Sequence, residues 1–405
     1  YRYFLLSSLK SWQEVNQWAQ SVFALKSEPN LDAVFKEIFT GKETTDDKIN
    51  KIINYVQDEI RYMGNEAGLG SIKPRSPEEV IKKRYGDCKD KSLLLVSLLK
   101  KIGINESYPA LVNTQIQHEI DKLGPGTEIF NHCIVTFNYN GETYWIDPSV
   151  PMQGGDFKDM FITDYGKALV VGLSTDSLQT MSSRKTNAYS DIVEEITVTS
   201  FTKPAQLKTI STRYGYDADL RRILLEYYST SNLLDDLSKE LKLLFPVVNK
   251  TSEMAVVDNV EKNEISTTYT FEVDGFWRDG DKEKNEATQG LWIFNYEPML
   301  LYYYFTKSAC EGREFDAALN YPVNLNYHVT FNCPKEILIM DNYYANDNES
   351  FFFEQKIEQL SSKSFRIDYK IKTKANYIKA KDYKKICEEK NKIVDKLPIA
   401  IYFTK

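Results

Sequence analysis

The sequence predicts an α+β protein in two parts, a core of helices followed by antiparallel strands and then a β-sandwich-like module carrying one or two helices. Three observations predict it. Capped segments with helical spacing fill the chain as far as Gly103; strand-like runs joined by Asn140-Gly141 take over from Tyr108; and alternating β-branched and aromatic runs dominate after a polar stretch near residues 176–190. A chain of 405 residues also exceeds one ordinary core. The expected division is a core with N-terminal helices over residues 1–185 and a β-rich domain over 186–405.

Ser11-Trp12-Gln13-Glu14 is a capping box, and Trp12, Val15, Trp18, Ala19, Val22 and Phe23 follow at helical spacing. Further helices are expected over Leu31–Phe39 and over Asp47 to about Tyr62, where Ile49, Ile52, Ile53, Val56 and Ile60 share a face. The glycines and prolines between Met63 and Pro77 mark a loop. Ser76-Pro77-Glu78-Glu79 restarts a helix with an N-cap and a first-turn proline. After Gly86 another helix starts close to Cys88 and runs to Gly103, a natural stop. Strands are then predicted over Tyr108–Thr114, Phe130–Asn138 and Glu142–Asp147, the last two joined by Asn-Gly, the strongest short hairpin signal. Ser182–Asn187 reads as a linker. Beyond it, strands are expected over Glu195–Phe201, Ile265–Val273, Asn324–Phe331, Ile337–Met340 and Phe365–Ile371, with one long helix near Ala218–Leu244 and one near Lys381–Lys392.

Composition narrows the function. The chain is 42% apolar and 27% charged, with no run approaching the roughly 20 apolar residues of a membrane-spanning helix. Its net charge of −7 comes from interspersed signs, so no basic stripe exists to follow a phosphate backbone, and nucleic acid is not an expected partner. The five cysteines, Cys88, Cys133, Cys310, Cys333 and Cys387, are scattered without a CxxC pair, which argues against a disulfide framework and a zinc ribbon. For all but Cys88 the expectation is a buried structural thiol. Because the chain opens on Tyr1 without a charged or apolar leader, it reads as a fragment or processed product.

The chemistry concentrates in Tyr85-Gly86-Asp87-Cys88-Lys89-Asp90-Lys91, Asn131-His132-Cys133 and Tyr144-Trp145-Ile146-Asp147-Pro148. A cysteine attacks as its thiolate, which a helix N-terminus and an adjacent imidazole both favour. A two-residue Asn-Gly turn sets Tyr139 opposite Glu142 and hence Ile134 opposite Asp147. His132 is then a diagonal neighbour of Asp147 at about 7–8 Å between backbones, close enough for imidazole to meet carboxylate. Alternation turns Cys133 to the other face, leaving Cys88 as the candidate nucleophile, His132 as base and Asp147 as the group that orients it. The Cys88 N–H is a natural oxyanion donor, with Tyr62 and Asn65 as candidates for a second. Asp87 flanks the thiol. A metal site built from Cys88 and His132 lacks further ligands, and no metal or cofactor is called for.

These three motifs resemble those of bacterial transglutaminase-like proteins, a branch of the papain-like cysteine fold, over roughly Asp47–Val150. The resemblance implies a transglutaminase-like/papain-like core in which Cys88, His132 and Asp147 act on a peptide or glutamine amide through a thioester, as peptidase, deamidase or amine transferase. The partner is then a peptide or protein substrate. The outer regions resemble flanking modules of a multi-domain family of Bacteroidetes-type bacteria, whose members are commonly exported to the periplasm or cell envelope. An alternative of another class is a catalytically silent protein-binding scaffold built on the same core.

Overall fold

A computed structural model describes residues 7–64, 72–173, 177–181, 188–282, 286–337 and 339–404. The expected linker Ser182–Asn187 and the candidate Asn65 lie outside these. The chain divides into two compact units, Tyr1–Asn187 and Ala188–Lys405.

Unit 1 is helical at its start: α1 (Trp12–Phe23), α2 (Asp32–Ile38) and α3 (Thr45–Asn54). Ser11 caps α1 by accepting from the Glu14 N–H, and a Thr44/Asp47 capping box opens α3. The sequence predicts one helix from Asp47 to about Tyr62, but α3 ends at Asn54 and passes through a π-helical turn, Tyr55–Glu59, into the short strand β1 (Arg61–Tyr62). Apolar spacing alone does not register the wider turn. Strand β1 runs parallel to β2 (Tyr85–Gly86), which follows α4 (Pro77–Lys83). Helix α5 (Cys88–Lys101) comes next, and it is buried along almost its whole length because α3, α4 and the sheet surround it. Such all-round apolar character marks an internal helix. Leu94, Leu95, Leu98 and Leu99 are fully enclosed, each worth about 1.5–3 kcal/mol in removed apolar surface.

Strands β3 (Ser107–Val112), β4 (His132–Tyr139), β5 (Glu142–Ile146), β6 (Lys167–Val170) and β7 (Gln179–Thr180) form a sheet in the order β5-β4-β3-β6-β7. The hairpin register is the one the sequence predicts, with Tyr139 opposite Glu142 and Val135 opposite Ile146. Asn140 (φ 51°) and Gly141 (φ 81°) both take the left-handed conformation that a type I′ turn requires.

Unit 2 is β-rich. Strands β8 (Tyr189–Thr197), β9 (Ala205–Tyr214), β10 (Val247–Lys250), β11 (Ala255–Asn259) and β12 (Glu264–Asp274) join β16 (Asn324–Asn332), β17 (Asn342–Asp347), β18 (Phe351–Ser361) and β19 (Ser364–Thr373) in a nine-stranded sheet. A three-stranded sheet of β13 (Trp277–Asp279), β14 (Leu291–Tyr296) and β21 (Ile399–Thr404), and the pair β15 (Ala317–Ala318) and β20 (Tyr377–Ile378), complete the strands. The opposing layer also includes helices: Leu234 of α7 (Thr230–Leu241), Leu301 of α8 (Met299–Tyr302) and Ile386 and Ile393 of α9 (Tyr383–Lys396) share one core cluster with the large sheet.

Four expectations for this unit are corrected. The long helix near Ala218–Leu244 is two, α6 (Tyr216–Tyr227) and α7, because extended Ser229 caps a new start by accepting from the Asn232 N–H. No strand covers the described residues of Ile337–Met340, and Phe201 lies in a turn beyond the end of β8. Cys310 and Cys387 are joined in a disulfide across 77 residues, a pairing that scattered cysteines at such separation cannot announce.

Candidate active site

The Gly-Asp-Cys segment is a tightly built helix start. Asp87 is the N-cap of α5: its Oδ1 accepts from the N–H groups of Lys89 (2.9 Å) and Asp90 (3.1 Å), while Asp90 Oδ2 accepts from the Asp87 N–H (3.0 Å). Two carboxylates thus satisfy the exposed donors of the first turn and complement its dipole. Glycine is needed before them, since a Cβ on Gly86 would stand 2.7 Å from Asp90 Cβ. Cys88 follows as the first helical residue, 7% exposed, and its own N–H finds no acceptor among the described residues. Asp87 also holds Lys89, whose Nζ donates to Oδ2 at 2.7 Å.

His132 opens β4 and Asp147 follows the last residue of β5, so the hairpin register delivers one to the other. His132 Nε2 lies 2.7 Å from Asp147 Oδ2. Cys88 and His132 line one cavity, the thiol close enough to favour the charged ring, and with Nε2 committed to Asp147 the nitrogen left to serve it is Nδ1. Burial alone would favour a neutral ring, but the bond to Asp147 and the neighbouring Cys88 outweigh it and push the His132 pKa up to about 10. Burial likewise works against the Asp147 carboxylate, yet its bonds with His132 and Ser149 hold it below its ordinary value.

Several supports were not legible in the sequence. Asp147 is 4% exposed, and every side of its carboxylate is engaged. Oδ2 also accepts from the Tyr165 hydroxyl (3.0 Å), and Oδ1 accepts from Ser149 through both its N–H (2.9 Å) and its hydroxyl (2.6 Å). The Tyr165 ring stands edge-on to His132. Gln57 in the π-helical turn donates through Nε2 to the Asp147 carbonyl (3.0 Å) and to Gln153 Oε1 (2.9 Å). Lys91, one turn after Cys88 and 1% exposed, donates to the carbonyls of Gln57 (3.1 Å) and Ile60 (2.7 Å). Burial pushes its pKa down to about 8. Only Ser149, two residues after an aspartate in a turn, carried a readable signal.

Of the remaining expected residues, Tyr62 stands beside the site because β1 pairs with β2, setting Tyr62 opposite Gly86; it is 48% exposed. Asn65 lies outside the described residues. Cys133 is on the strand face opposite His132, fully buried in the same core cluster as Cys88, and burial, then the neighbouring Cys88, push its thiol pKa up. A cavity of about 280 Å³ opens at Cys88 and His132, walled by Trp18, Phe23, Leu111 and Phe130, with Tyr62 at its side. Helix α1 therefore shapes the approach to the thiol.

Residues 32–145 match the model of the transglutaminase-like superfamily, a stretch that includes Cys88 and His132 and ends two residues before Asp147. Among solved structures, a "putative protease" from Parabacteroides distasonis superposes with a TM-score of 0.55 at 8% identity, covering 98% of this chain and 59% of that one. At that identity the likeness speaks for the fold, and this chain spans about three fifths of the neighbour's length. No curated protein matches the sequence. The chain carries a transglutaminase-like domain over residues 32–145, followed by a β-rich C-terminal region.

Proposed function

We propose that unit 1 is a cysteine enzyme that transfers the acyl group of a peptide or glutamine amide, with Cys88 as nucleophile, His132 as general base and acid, and Asp147 as the orienting carboxylate. The observation that carries this reading is one imidazole bonded through Nε2 to a buried carboxylate and lining the same cavity as a cysteine at a helix N-terminus, with Nδ1 left for the thiol. In the reaction the thiol proton moves to Nδ1 and sulfur bonds to the carbonyl carbon, giving a tetrahedral oxyanion. The unpaired Cys88 N–H is one donor to that oxygen, and Tyr62 is the candidate for a second. His132 returns the proton to the leaving nitrogen, the C–N bond breaks and a thioester remains. Water or a primary amine, deprotonated by His132, attacks the thioester; the C–S bond breaks and the thiolate is restored.

The Cys310–Cys387 disulfide supports export to the periplasm or cell envelope, since such bonds persist in oxidising compartments. Alkylation with iodoacetamide, read by peptide mass spectrometry, tests the enzyme reading. Cys88 should react far faster than Cys133 or Cys333, and its rate at neutral pH should fall at least tenfold in His132→Ala. Equal rates in the two proteins would leave the scaffold reading standing. Ammonia release from glutamine peptides, with and without a primary amine, separates hydrolysis from transfer.

A further inference from the structure

Beside the Cys310–Cys387 disulfide of unit 2 lies another cavity, of about 200 Å³, with no part in the site above. Three elements wall it. One is a face of α9, where Tyr383, Cys387, Lys390 and Asn391 recur at helical spacing. The second is the β15–β20 pair, whose Ala317, Ala318 and Ile378 give the cavity an apolar side. The third is the stretch from Thr306 to Arg313, which has neither helix nor strand. That stretch is nevertheless clamped to α9. Asn391 accepts from the Ser308 N–H at 3.1 Å and donates to the Ser308 carbonyl at 2.9 Å, and the disulfide ties Cys310 to the same helix. A side-chain amide and a covalent bond thus fix an irregular segment against the helix, so the cavity is formed before any ligand arrives.

Two cations line this cavity. The Arg313 guanidinium sits over the Tyr383 ring, 5.0 Å from its centre. Lys390 is two turns farther along α9, and because helical side chains tilt toward the N-terminus its stem leans back toward Tyr383. Neither cation makes an ion pair or hydrogen bond with any described residue. Burial alone acts on the Lys390 ammonium, pushing its pKa down with no carboxylate to offset it. The acids on the same segments are turned elsewhere: Asp316 accepts from the Ala380 N–H, Glu389 from the Asn348 amide, and Asp395 pairs with Lys307. None of these lines the cavity, nor do Glu311 and Glu314 beside Arg313, or Asp382 and Glu388 at α9. The charged groups lining it are therefore both positive.

We propose that this cavity binds the phosphate group of a small phosphate monoester, held by Arg313 and Lys390 with its organic body against Ala317, Ala318 and Ile378. A phosphate carries a charge of about −1.5 to −2 at pH 7, which matches two cations where the single charge of a carboxylate leaves one unmet. The guanidinium fork meets two phosphate oxygens, and the ammonium takes a third as a point charge.

Titration calorimetry of the full chain near pH 7 and at fixed ionic strength tests this, with phenyl phosphate and inorganic phosphate as probes and benzoate as the carboxylate arm. Saturable binding of phenyl phosphate is expected, tighter than that of phosphate or benzoate. It should weaken at least tenfold in Lys390→Gln and in Arg313→Gln, and stay unchanged in Lys384→Gln, which removes a charge from α9 outside the cavity. Arg313→Lys, which keeps the charge but loses the fork, should bind severalfold more weakly, and it serves if the glutamine variant does not fold. No saturable binding of phenyl phosphate, or equal binding in the Lys390 and Arg313 variants, overturns the proposal. An equal loss in Lys384→Gln also overturns it, leaving only general attraction to a basic helix. Benzoate binding as tightly as phenyl phosphate overturns the assigned phosphate, and inorganic phosphate binding as tightly overturns the ester in favour of the free ion.

Discussion

Replacing Asp147 by Asn removes one charge from the His132 pair while keeping the side chain's size, and the hydrogen bonds around it dictate the consequence. In the native site Oδ2 accepts from His132 Nε2–H and from the Tyr165 hydroxyl, while Oδ1 takes both donors of Ser149. The asparagine oxygen stays with Ser149, so the amide N–H₂ turns toward His132. It can be accommodated only by an imidazole whose Nε2 is bare. That tautomer carries its proton on Nδ1, facing Cys88, where it can no longer accept the thiol proton. The same tautomer error in a serine-histidine-aspartate site costs about 10⁴-fold in turnover, so a loss of roughly 10²–10⁴ in the Cys88 alkylation rate near pH 7 is expected. Stability depends on the same pair. The His132 shift from 6.5 to about 10 corresponds to roughly 5 kcal/mol at about 1.4 kcal/mol per unit, a sum shared between Asp147 and Cys88. Because the folded pKa is raised, this contribution is fully present below pH 6.5 and is lost as pH rises through 10. Urea unfolding between pH 6 and 10 should therefore show stability declining in the native protein, with a much flatter profile in Asp147→Asn. Identical pH profiles together with alkylation rates within threefold would refute the assigned geometry.

Gly86→Ala drives a Cβ against Asp90 and should cost about 1–3 kcal/mol in denaturant unfolding while slowing Cys88 alkylation through the disturbed cap. Lys91→Met leaves the carbonyls of Gln57 and Ile60 without their buried donor; a loss of about 1–3 kcal/mol is expected, read by urea melts at pH 7. Reduction of Cys310–Cys387, or the double serine variant, should lower stability by about 2–4 kcal/mol, since the bond closes a 77-residue span, while Cys88 alkylation in unit 1 stays unchanged.

The parts of the site governed by short-range rules were readable in the sequence. A cap, a first helical turn and an Asn-Gly hairpin each lie within a few residues, so Cys88 at a helix start and the His132–Asp147 meeting come from local pattern and pairing arithmetic. What escaped depends on long-range closure. Tyr165 reaches Asp147 from 18 residues away and Gln57 from 90, and neither has a periodicity that aims it there. Lysines are ordinarily solvated, yet the core encloses Lys91 because its ammonium finds two carbonyls. The Cys310–Cys387 bond is hidden for the same reason, its partners being adjacent only after the strands of unit 2 assemble.

The break in the predicted helix over Asp47–Tyr62 and the buried Lys91 explain each other. Had α-helical geometry continued past Asn54, the carbonyls of Gln57 and Ile60 would bond to later N–H groups of the same helix. Instead the chain leaves through a π-helical turn into β1, and those carbonyls at the helix end need donors that water cannot supply in the interior. Lys91 supplies both from α5, the helix that presents Cys88 one turn earlier. Its position on that helix also fixes where β1 emerges, and β1 can then pair with β2 and bring Tyr62 opposite Gly86. From the same turn the Gln57 amide reaches the backbone of Asp147. An irregular turn and a costly buried cation thus tie together the segments carrying Cys88, Asp147 and Tyr62. A regular helix of the length the apolar spacing predicts would carry residues 61 and 62 onward along its axis, away from the β2 pairing that now holds Tyr62 beside the thiol.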